Sequence, residues 1–95
     1  MHKTFTINCQ SANMLKDKDL IGKMDPYVEI EYGKQKYKTK VAKGQGKTPT
    51  WNDQFTFNFD EKIAQVDFTI KDKDVGSDDK IGIACIPVAL IMSSP

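Results

Sequence analysis

Apolar and polar residues alternate along several short segments of this 95-residue chain, and this alternation limits the fold more than any other feature. Successive side chains of a β-strand point to opposite faces, so alternation at period two is typical of a strand with one buried face. Turn-forming residues separate the segments, and no stretch shows a convincing amphipathic helix. An all-β antiparallel sandwich in one domain is therefore expected. Six strands are predicted, at residues 3–9, 26–32, 35–41, 54–59, 65–71 and 81–88.

The composition argues against several classes of function. The net charge is +1, so no basic field indicates a nucleic-acid partner. All 14 basic residues are lysine, a mobile point charge that suits diffuse attraction to an anionic surface. There is no apolar run of about 18 residues that would predict a transmembrane helix. No histidine adjoins an acid, no serine or cysteine adjoins a base, and no glycine-rich phosphate loop is present, so an enzyme is not expected.

The N-terminal residues enter a strand directly rather than forming a signal peptide, which favours a cytoplasmic location. The two cysteines, Cys9 and Cys85, lie on the first and last predicted strands. Both are expected to be small core residues rather than a disulfide or a metal-binding pair.

Aspartates concentrate in two segments that each adjoin a predicted strand. Pro26 fixes its own φ and holds Asp25 in an extended conformation, so Asp25 lies at a rigid junction between loop and strand. If successive strands are antiparallel, the connections 10–25, 42–53 and 72–80 lie at one end of the sheets. Crowded carboxylates repel one another, so such an end favours a bound cation. It would gather seven of the 13 acidic residues: Asp17, Asp19, Asp25, Asp72, Asp74, Asp78 and Asp79.

The order of motifs along the chain resembles the C2 domain, the calcium- and phospholipid-binding module first described in protein kinase C. The resemblance covers the chain from about Phe5 to Leu90, in order and with few gaps. It rests on Asp-x5-Asp-Pro-Tyr-Val from Asp19, Lys-Thr-Lys-Val from Lys38, Thr-Pro-x-Trp-Asn-x-x-Phe-x-Phe from Thr48, and Asp-x-Asp followed by Asp-x-Ile-Gly from Asp72.

The resemblance implies a Greek-key β-sandwich of eight antiparallel strands with calcium bound in loops at one end. Only six strands have sequence here, so residues 1–90 are expected to form a C2-like domain that lacks its last strands. Residues 91–95 would be a tail, at a cut into a longer polypeptide. Missing strands leave sheet edges open. Either residues 89–95 lie back along an open edge, or two chains exchange or pair strands into a homodimer, and the homodimer is the preferred expectation.

The resemblance also implies a set of calcium ligands. The connections 10–25 and 72–80 correspond to the first and third loops of the family. The third loop is one residue shorter than is usual, so Asp78 and Asp79 remain alternatives for its last carboxylate. Calcium takes about 6–8 oxygen ligands, and loops that approach from the protein side leave positions for lipid oxygens. The implied ligands are the carboxylates of Asp19, Asp25, Asp72, Asp74 and Asp79, with the backbone carbonyls of Leu20 and Lys73.

Two groups of residues are candidates for lipid contact. Leu20, Ile21 and Val75 are apolar residues at loop tips, which suits shallow insertion among headgroups, although Leu20 or Ile21 could instead fold back onto the core. A lysine-rich strand face binds phosphoinositides in many relatives, and the candidates here are Lys36, Lys38 and Lys40. The neighbouring strand carries two glutamates that should share this face and cancel much of its field, so phosphoinositide is the less favoured ligand.

The function expected from the residues and the resemblance is calcium-dependent binding to anionic, phosphatidylserine-like membranes. The module would bring an attached domain to the membrane and would be peripheral there when calcium-bound. The alternative is a calcium-independent protein-interaction sandwich that retains the acids by descent.

Overall fold

The computed structural model describes residues 3–11, 24–46, 48–74 and 76–92. The described part of the chain folds into six strands and one short helix. The elements are β1 (Thr4–Ser11), β2 (Pro26–Tyr32), β3 (Gln35–Lys38), β4 (Thr50–Asn58), β5 (Gln65–Asp72), β6 (Asp79–Pro87) and α1 (Val88–Met92).

The strands form two antiparallel sheets, which confirms the predicted all-β sandwich. The smaller sheet pairs β1 with β4, and the larger sheet has the order β3-β2-β5-β6. Aromatic rings join the two layers: Phe5 on β1 packs edge-on against Tyr32 on β2, with ring centroids 5.0 Å apart. Tyr37 on β3 contacts Phe57 on β4 in the same way, also at 5.0 Å. These contacts place the small sheet over the β3–β2 half of the large one.

The core is built from the inward-facing residues of both sheets. Trp51, Tyr32 and Phe57 are its largest fully buried side chains. The indole Nε1 of Trp51 donates a hydrogen bond to the carbonyl oxygen of Pro26 at 3.0 Å, which ties the start of β4 to the start of β2. Its polar atom is thereby satisfied, as burial requires.

Strand β3 ends at Lys38, three residues earlier than predicted, because the side chain of Thr39, and not a backbone carbonyl, accepts the next hydrogen bond from β2. The amide of Val28 donates to Oγ1 of Thr39 at 3.0 Å, and that hydroxyl donates to the carbonyl oxygen of Lys40 at 2.9 Å. The amide of Lys40 then turns to Oδ2 of Asp53 on β4, at 2.8 Å. The Lys-Thr-Lys motif therefore leaves the large sheet and crosses toward the small one.

Strand β4 begins at Thr50, four residues earlier than predicted. The register of β1 with β4 shifts between Cys9, opposite Asp53, and Ser11, opposite Thr50, so β4 carries one extra residue. Asn52 lies in this irregularity with φ of 54°, a left-handed conformation that asparagine tolerates better than most residues. A bulge of this kind interrupts alternation, which hid the start of the strand.

Two other expectations differ from the structure. The last strand ends at Pro87, and residues 88–92 form a helix that was not predicted. An apolar stretch without alternation does not distinguish strand from helix. The expected core position of Cys85 is wrong: Cys85 is exposed, because it lies opposite Asp67 on the outer face of the large sheet. Cys9 is partly buried against the core, and both thiols are free.

The half of the large sheet formed by β5 and β6 extends beyond the small sheet. A cleft of about 450 Å³ opens there between β1 and the β6–α1 segment. Its walls include Ile7, Phe68, Ile86, Leu90 and Ile91. Helix α1, which crosses the expected boundary at residue 90, partly closes it by packing Val88 and Ile91 against the core. No helix in the described part of the chain is long and apolar enough to span a bilayer.

Candidate functional site

The two aspartate-rich segments meet at one end of the sandwich. The amide of Asp25 donates a hydrogen bond to Oδ1 of Asp72 at 2.9 Å, and the amide of Lys73 donates to the carbonyl oxygen of Asp25 at 3.0 Å. Asp25 precedes β2 and Asp72 ends β5, and the two strands pair antiparallel. The prediction that these segments share one end of the sheets is confirmed for these residues.

The connection between β3 and β4 joins the same end. The amide of Gly44 donates to Oδ1 of Asp25 at 2.6 Å, and the amide of Gly46 donates to the carbonyl oxygen of Met24 at 3.0 Å. Gly44 has φ of 70°, a conformation that glycine adopts without steric cost. The Asp25 carboxylate is thus held by the tip of a glycine-containing turn, as well as through its own backbone.

Strand register distinguishes the two adjacent acids of the third loop. Asp72 lies opposite Asp79 in the β5–β6 pair, so these two side chains share a face of the sheet. Tyr27 lies opposite Lys71, and therefore on the other face. Asp78 precedes β6 by one residue and contacts Tyr27. The two neighbouring aspartates therefore have different surroundings.

Asp78 accepts hydrogen bonds at both of its carboxylate oxygens. Oδ2 accepts a hydrogen bond from the Tyr27 hydroxyl at 2.5 Å, and Oδ1 accepts one from the Asp74 amide at 3.1 Å. The Lys73 ammonium nitrogen lies 3.7 Å from Oδ2. These contacts connect strand β2 with both sides of the loop between β5 and β6.

The same contacts shift the pKa of both partners. The hydrogen bond from Tyr27, and then that from the Asp74 amide, hold the pKa of the Asp78 carboxyl below its usual range. Burial, and next the hydrogen bond to Asp78, raise the pKa of Tyr27 to about 12. The charged carboxylate and the neutral phenol are therefore the stable forms of this pair at neutral pH.

The chemistry of this end fits a hard cation. Its candidate ligands are carboxylate and carbonyl oxygens, which are the groups that calcium prefers. Within residues 3–11, 24–46, 48–74 and 76–92, however, no three acidic, histidine or cysteine side chains are grouped closely enough to hold an ion. The carboxylates of Asp25, Asp72 and Asp78 instead accept hydrogen bonds from backbone amides. The predicted residues Asp19, Leu20, Ile21 and Val75 lie outside the described residues.

The lysine-rich face lies away from this end, on the outer side of the large sheet. Glu29 lies opposite Lys38 and Glu31 opposite Lys36, so the glutamates do share the face of the lysines, as expected. The ammonium nitrogen of Lys36 lies 3.8 Å from Oε2 of Glu31. Glu29 forms its ion pair with Lys71 of β5 rather than with Lys38, and the nitrogen of Lys71 lies 2.8 Å from Oε1 of Glu29.

The third lysine of the group, Lys40, also lies near a carboxylate. Its ammonium nitrogen is 3.8 Å from Oδ1 of Asp53. A shallow depression of about 330 Å³ on this face includes Lys36 and Lys38, but also Glu29, Glu31 and Asp67. Cations and anions thus alternate across the surface, which weakens its attraction for a multiply charged headgroup.

Tyr27 is the site residue that sequence reasoning missed. In the sequence it indicates only the Asp-Pro-Tyr-Val motif. Its position opposite Lys71, on the face away from Asp72, could have been predicted by alternation once β2 and β5 were paired. Its contact with Asp78, 51 residues along the chain, depends on the shape of a loop, so the alternation of apolar and polar residues does not predict it.

Comparison with known proteins agrees with the fold. The family model for the C2 domain matches residues 3–95. The chain is 42% identical over 88 residues to 16 kDa phloem protein 2 of Arabidopsis thaliana, covering 92% of this chain and 60% of that protein. It is 38% identical over 80 residues to a calcium-dependent lipid-binding protein of A. thaliana, covering 82% of this chain and 16% of that protein.

A solved structure shows the same architecture. The C2 domain-containing protein from an elicitor-responsive gene superimposes with a TM-score of 0.79 and 40% sequence identity, covering 96% of this chain and 68% of that one. The chain spans from 49% to 62% of the length of the phloem and elicitor-responsive proteins that it matches. The motifs, the sandwich and these similarities together show that the chain belongs to the C2 domain family.

Proposed function

We propose that this chain is a calcium-responsive binding module, rather than an enzyme, that attaches to anionic phospholipid membranes. The observation that carries the proposal is the hydrogen bond between the Asp25 amide and Oδ1 of Asp72, which joins the first and third loops at one end of the sandwich. The similarity to a protein named as calcium-dependent and lipid-binding supports the same function.

The residues that would hold calcium come from both loops. Asp25 and Asp72 are held by backbone amides, and Asp79 shares the sheet face of Asp72. Bound calcium would supply positive charge among carboxylates that otherwise repel one another, and would offer open positions to lipid oxygens. The proposed ligands are the carboxylates of Asp19, Asp25, Asp72, Asp74 and Asp79 and the carbonyls of Leu20 and Lys73.

Membrane contact would occur at the same end of the sandwich. Leu20 and Ile21 follow Asp19 in the sequence, and Val75 follows Asp74. Their insertion among headgroups would add to the electrostatic attraction. We propose phosphatidylserine-like lipid as the partner. Phosphoinositide is less favoured, because Lys36 and Lys40 lie near carboxylates and the face that carries Lys36 and Lys38 includes three acids. The module would be cytoplasmic and peripheral, and it would recruit an attached domain.

The competing function is a calcium-independent protein-interaction sandwich. One observation favours it: the described carboxylates accept amide hydrogen bonds and do not form a group of three. In that case the acids at this end would serve to tie loops together, and calcium would have no effect on binding.

Sedimentation with phospholipid vesicles separates the two functions. Vesicles that contain phosphatidylserine and phosphatidylcholine should carry the protein into the pellet when calcium is present and release it when a chelator is added. Vesicles of phosphatidylcholine alone should retain much less. Binding that is equal with calcium and with chelator, or absent in both, would contradict the proposal.

A further inference from the structure

The carboxylate of Asp78 connects strand β2 with the third loop. One oxygen accepts from the Tyr27 hydroxyl at 2.5 Å, and the other accepts from the Asp74 amide at 3.1 Å. Tyr27 is only 5% exposed, so the strand that carries it fixes the position of its hydroxyl. A single side chain thus links a rigid strand to the interior of a loop.

Three features separate Asp78 from a metal ligand. Both of its oxygens already have donors. The Lys73 ammonium nitrogen, 3.7 Å from Oδ2, would repel a cation that bound there. Finally, Asp79 and not Asp78 shares the sheet face of Asp72, the carboxylate that connects the first and third loops.

We propose that Tyr27 and Asp78 are positioning residues that fix the third loop in the shape required for cation binding, while Asp79 supplies the ligand. The inference rests on the proposed calcium site. The backbone at Asp74 is held through its own amide, so this residue is held in place before an ion arrives. Calcium then does not have to supply that ordering, and binding is tighter by the amount saved.

The opposite role would follow if Asp78 were itself a ligand. The Tyr27 hydroxyl would then compete with calcium for the same carboxylate, and its removal would strengthen binding. The two roles therefore differ in the sign of one measurement. Tyr27→Phe removes the hydroxyl and keeps the buried ring, and Tyr37→Phe is the matched control because Tyr37 is 41% exposed and lies at the edge of the large sheet.

The first measurement is calorimetric titration of calcium. We expect Tyr27→Phe to bind calcium about threefold to tenfold more weakly than Tyr37→Phe, the range that one hydrogen bond accounts for. Asp78→Asn keeps an acceptor oxygen and should retain more affinity than Asp78→Ala, whereas Asp79→Asn should lose binding. Unchanged or tighter binding by Tyr27→Phe, or loss of binding in Asp78→Asn with retention in Asp79→Asn, would overturn the proposal.

The second measurement needs no calcium. Hydrogen exchange at the Asp74 amide reports the loop in the metal-free protein, and exchange should be slow in the parent and in Tyr37→Phe. It should be faster in Tyr27→Phe and in Asp78→Ala. Equal exchange in all four proteins would reject the positioning role even if the parent binds calcium. Faster exchange in Tyr27→Phe and Asp78→Ala, together with no calcium binding by the parent, would reject the proposed function alone.

Discussion

The amide of Asp25 and the carboxylate of Asp72, separated by 47 residues in sequence, are joined by a hydrogen bond of 2.9 Å. Asp72 is only 3% exposed, and a buried carboxylate is stable only with donors around it. The bond fixes the position of Asp25, which precedes β2, relative to Asp72 at the end of β5. These two acids are therefore held together before any ligand is present.

The loop tips provide a prediction that separates lipid contact from calcium binding. Replacement of both Leu20 and Ile21 by alanine should weaken calcium-dependent vesicle binding about tenfold, because apolar area is lost from the inserted surface. Calcium binding by the free protein should change little. Leu90→Ala is the control, since Leu90 is 62% exposed on α1, beyond the opposite end of β6. Vesicle affinity equal to that of the control would show that the tips stay outside the bilayer.

The hydroxyl of Thr39 provides a prediction about stability. Thr39→Val keeps the shape of a residue that is 5% exposed, but it leaves the amide of Val28 without its acceptor. The free energy of unfolding should fall by about 1–3 kcal/mol. Thr56→Val, at an exposed threonine that bonds Thr6 across the small sheet, should change it by less than about 0.5 kcal/mol. Denaturant unfolding of both variants tests this, and equal stabilities would contradict the role given to Thr39.

Tyr27 provides a prediction about alkaline pH. Its pKa in the folded protein is raised from an ordinary value of 10.0 to about 12, so the folded state favours the neutral phenol. The corresponding stabilisation is present in full below pH 10 and is lost as the pH rises from 10 toward 12. Unfolding measured across this range should show a loss of stability that is smaller in Tyr27→Phe. A parent and a variant with the same pH dependence would show that Tyr27 is not the group responsible.

The offset between the sheets bears on the expected homodimer. Strands β5 and β6 extend beyond β1, so direct pairing of two β1 edges would place these extensions of both copies in the same space. We therefore expect a dimer to form by exchange of strands rather than by pairing of two β1 edges. Light scattering at micromolar concentration should show a dimer. After dilution this dimer should dissociate slowly, over a time longer than the mixing time of the sample. Asn8→Lys, which adds a charge to the β1 edge, should not change it, and a monomer would contradict this prediction.

Much of the architecture followed from alternation alone. Antiparallel connection of successive strands was enough to bring Asp25 and Asp72 to one end. Alternation also correctly predicted that Glu29 and Glu31 share a sheet face with Lys36 and Lys38. These features depend only on which face a residue occupies, and period two specifies that face. The choice of Lys71 rather than Lys38 as the partner of Glu29 depends on side-chain reach, which the pattern does not contain.

The features that were missed depend on contacts between distant segments. Strand β3 ends early because Thr39 and Asp53 take over its hydrogen bonds. Cys85 is exposed because an apolar strand gave no indication of its faces. The different positions of Asp78 and Asp79 depend on the register of β6 with β5, which alternation along one strand does not specify. The ligand set and the lipid-contact residues remain predictions.

Calcium titration of Asp72→Asn tests the central claim most directly. Asparagine can still accept the hydrogen bond from the Asp25 amide, so the metal-free fold should be kept while the charge that a cation requires is lost. Asp67→Asn, which removes one charge from the outer face of the same strand, is the matched control. Calorimetry should show calcium uptake by the parent and by Asp67→Asn, and none by a folded Asp72→Asn. Normal calcium uptake by Asp72→Asn, or none by the parent, would contradict the account.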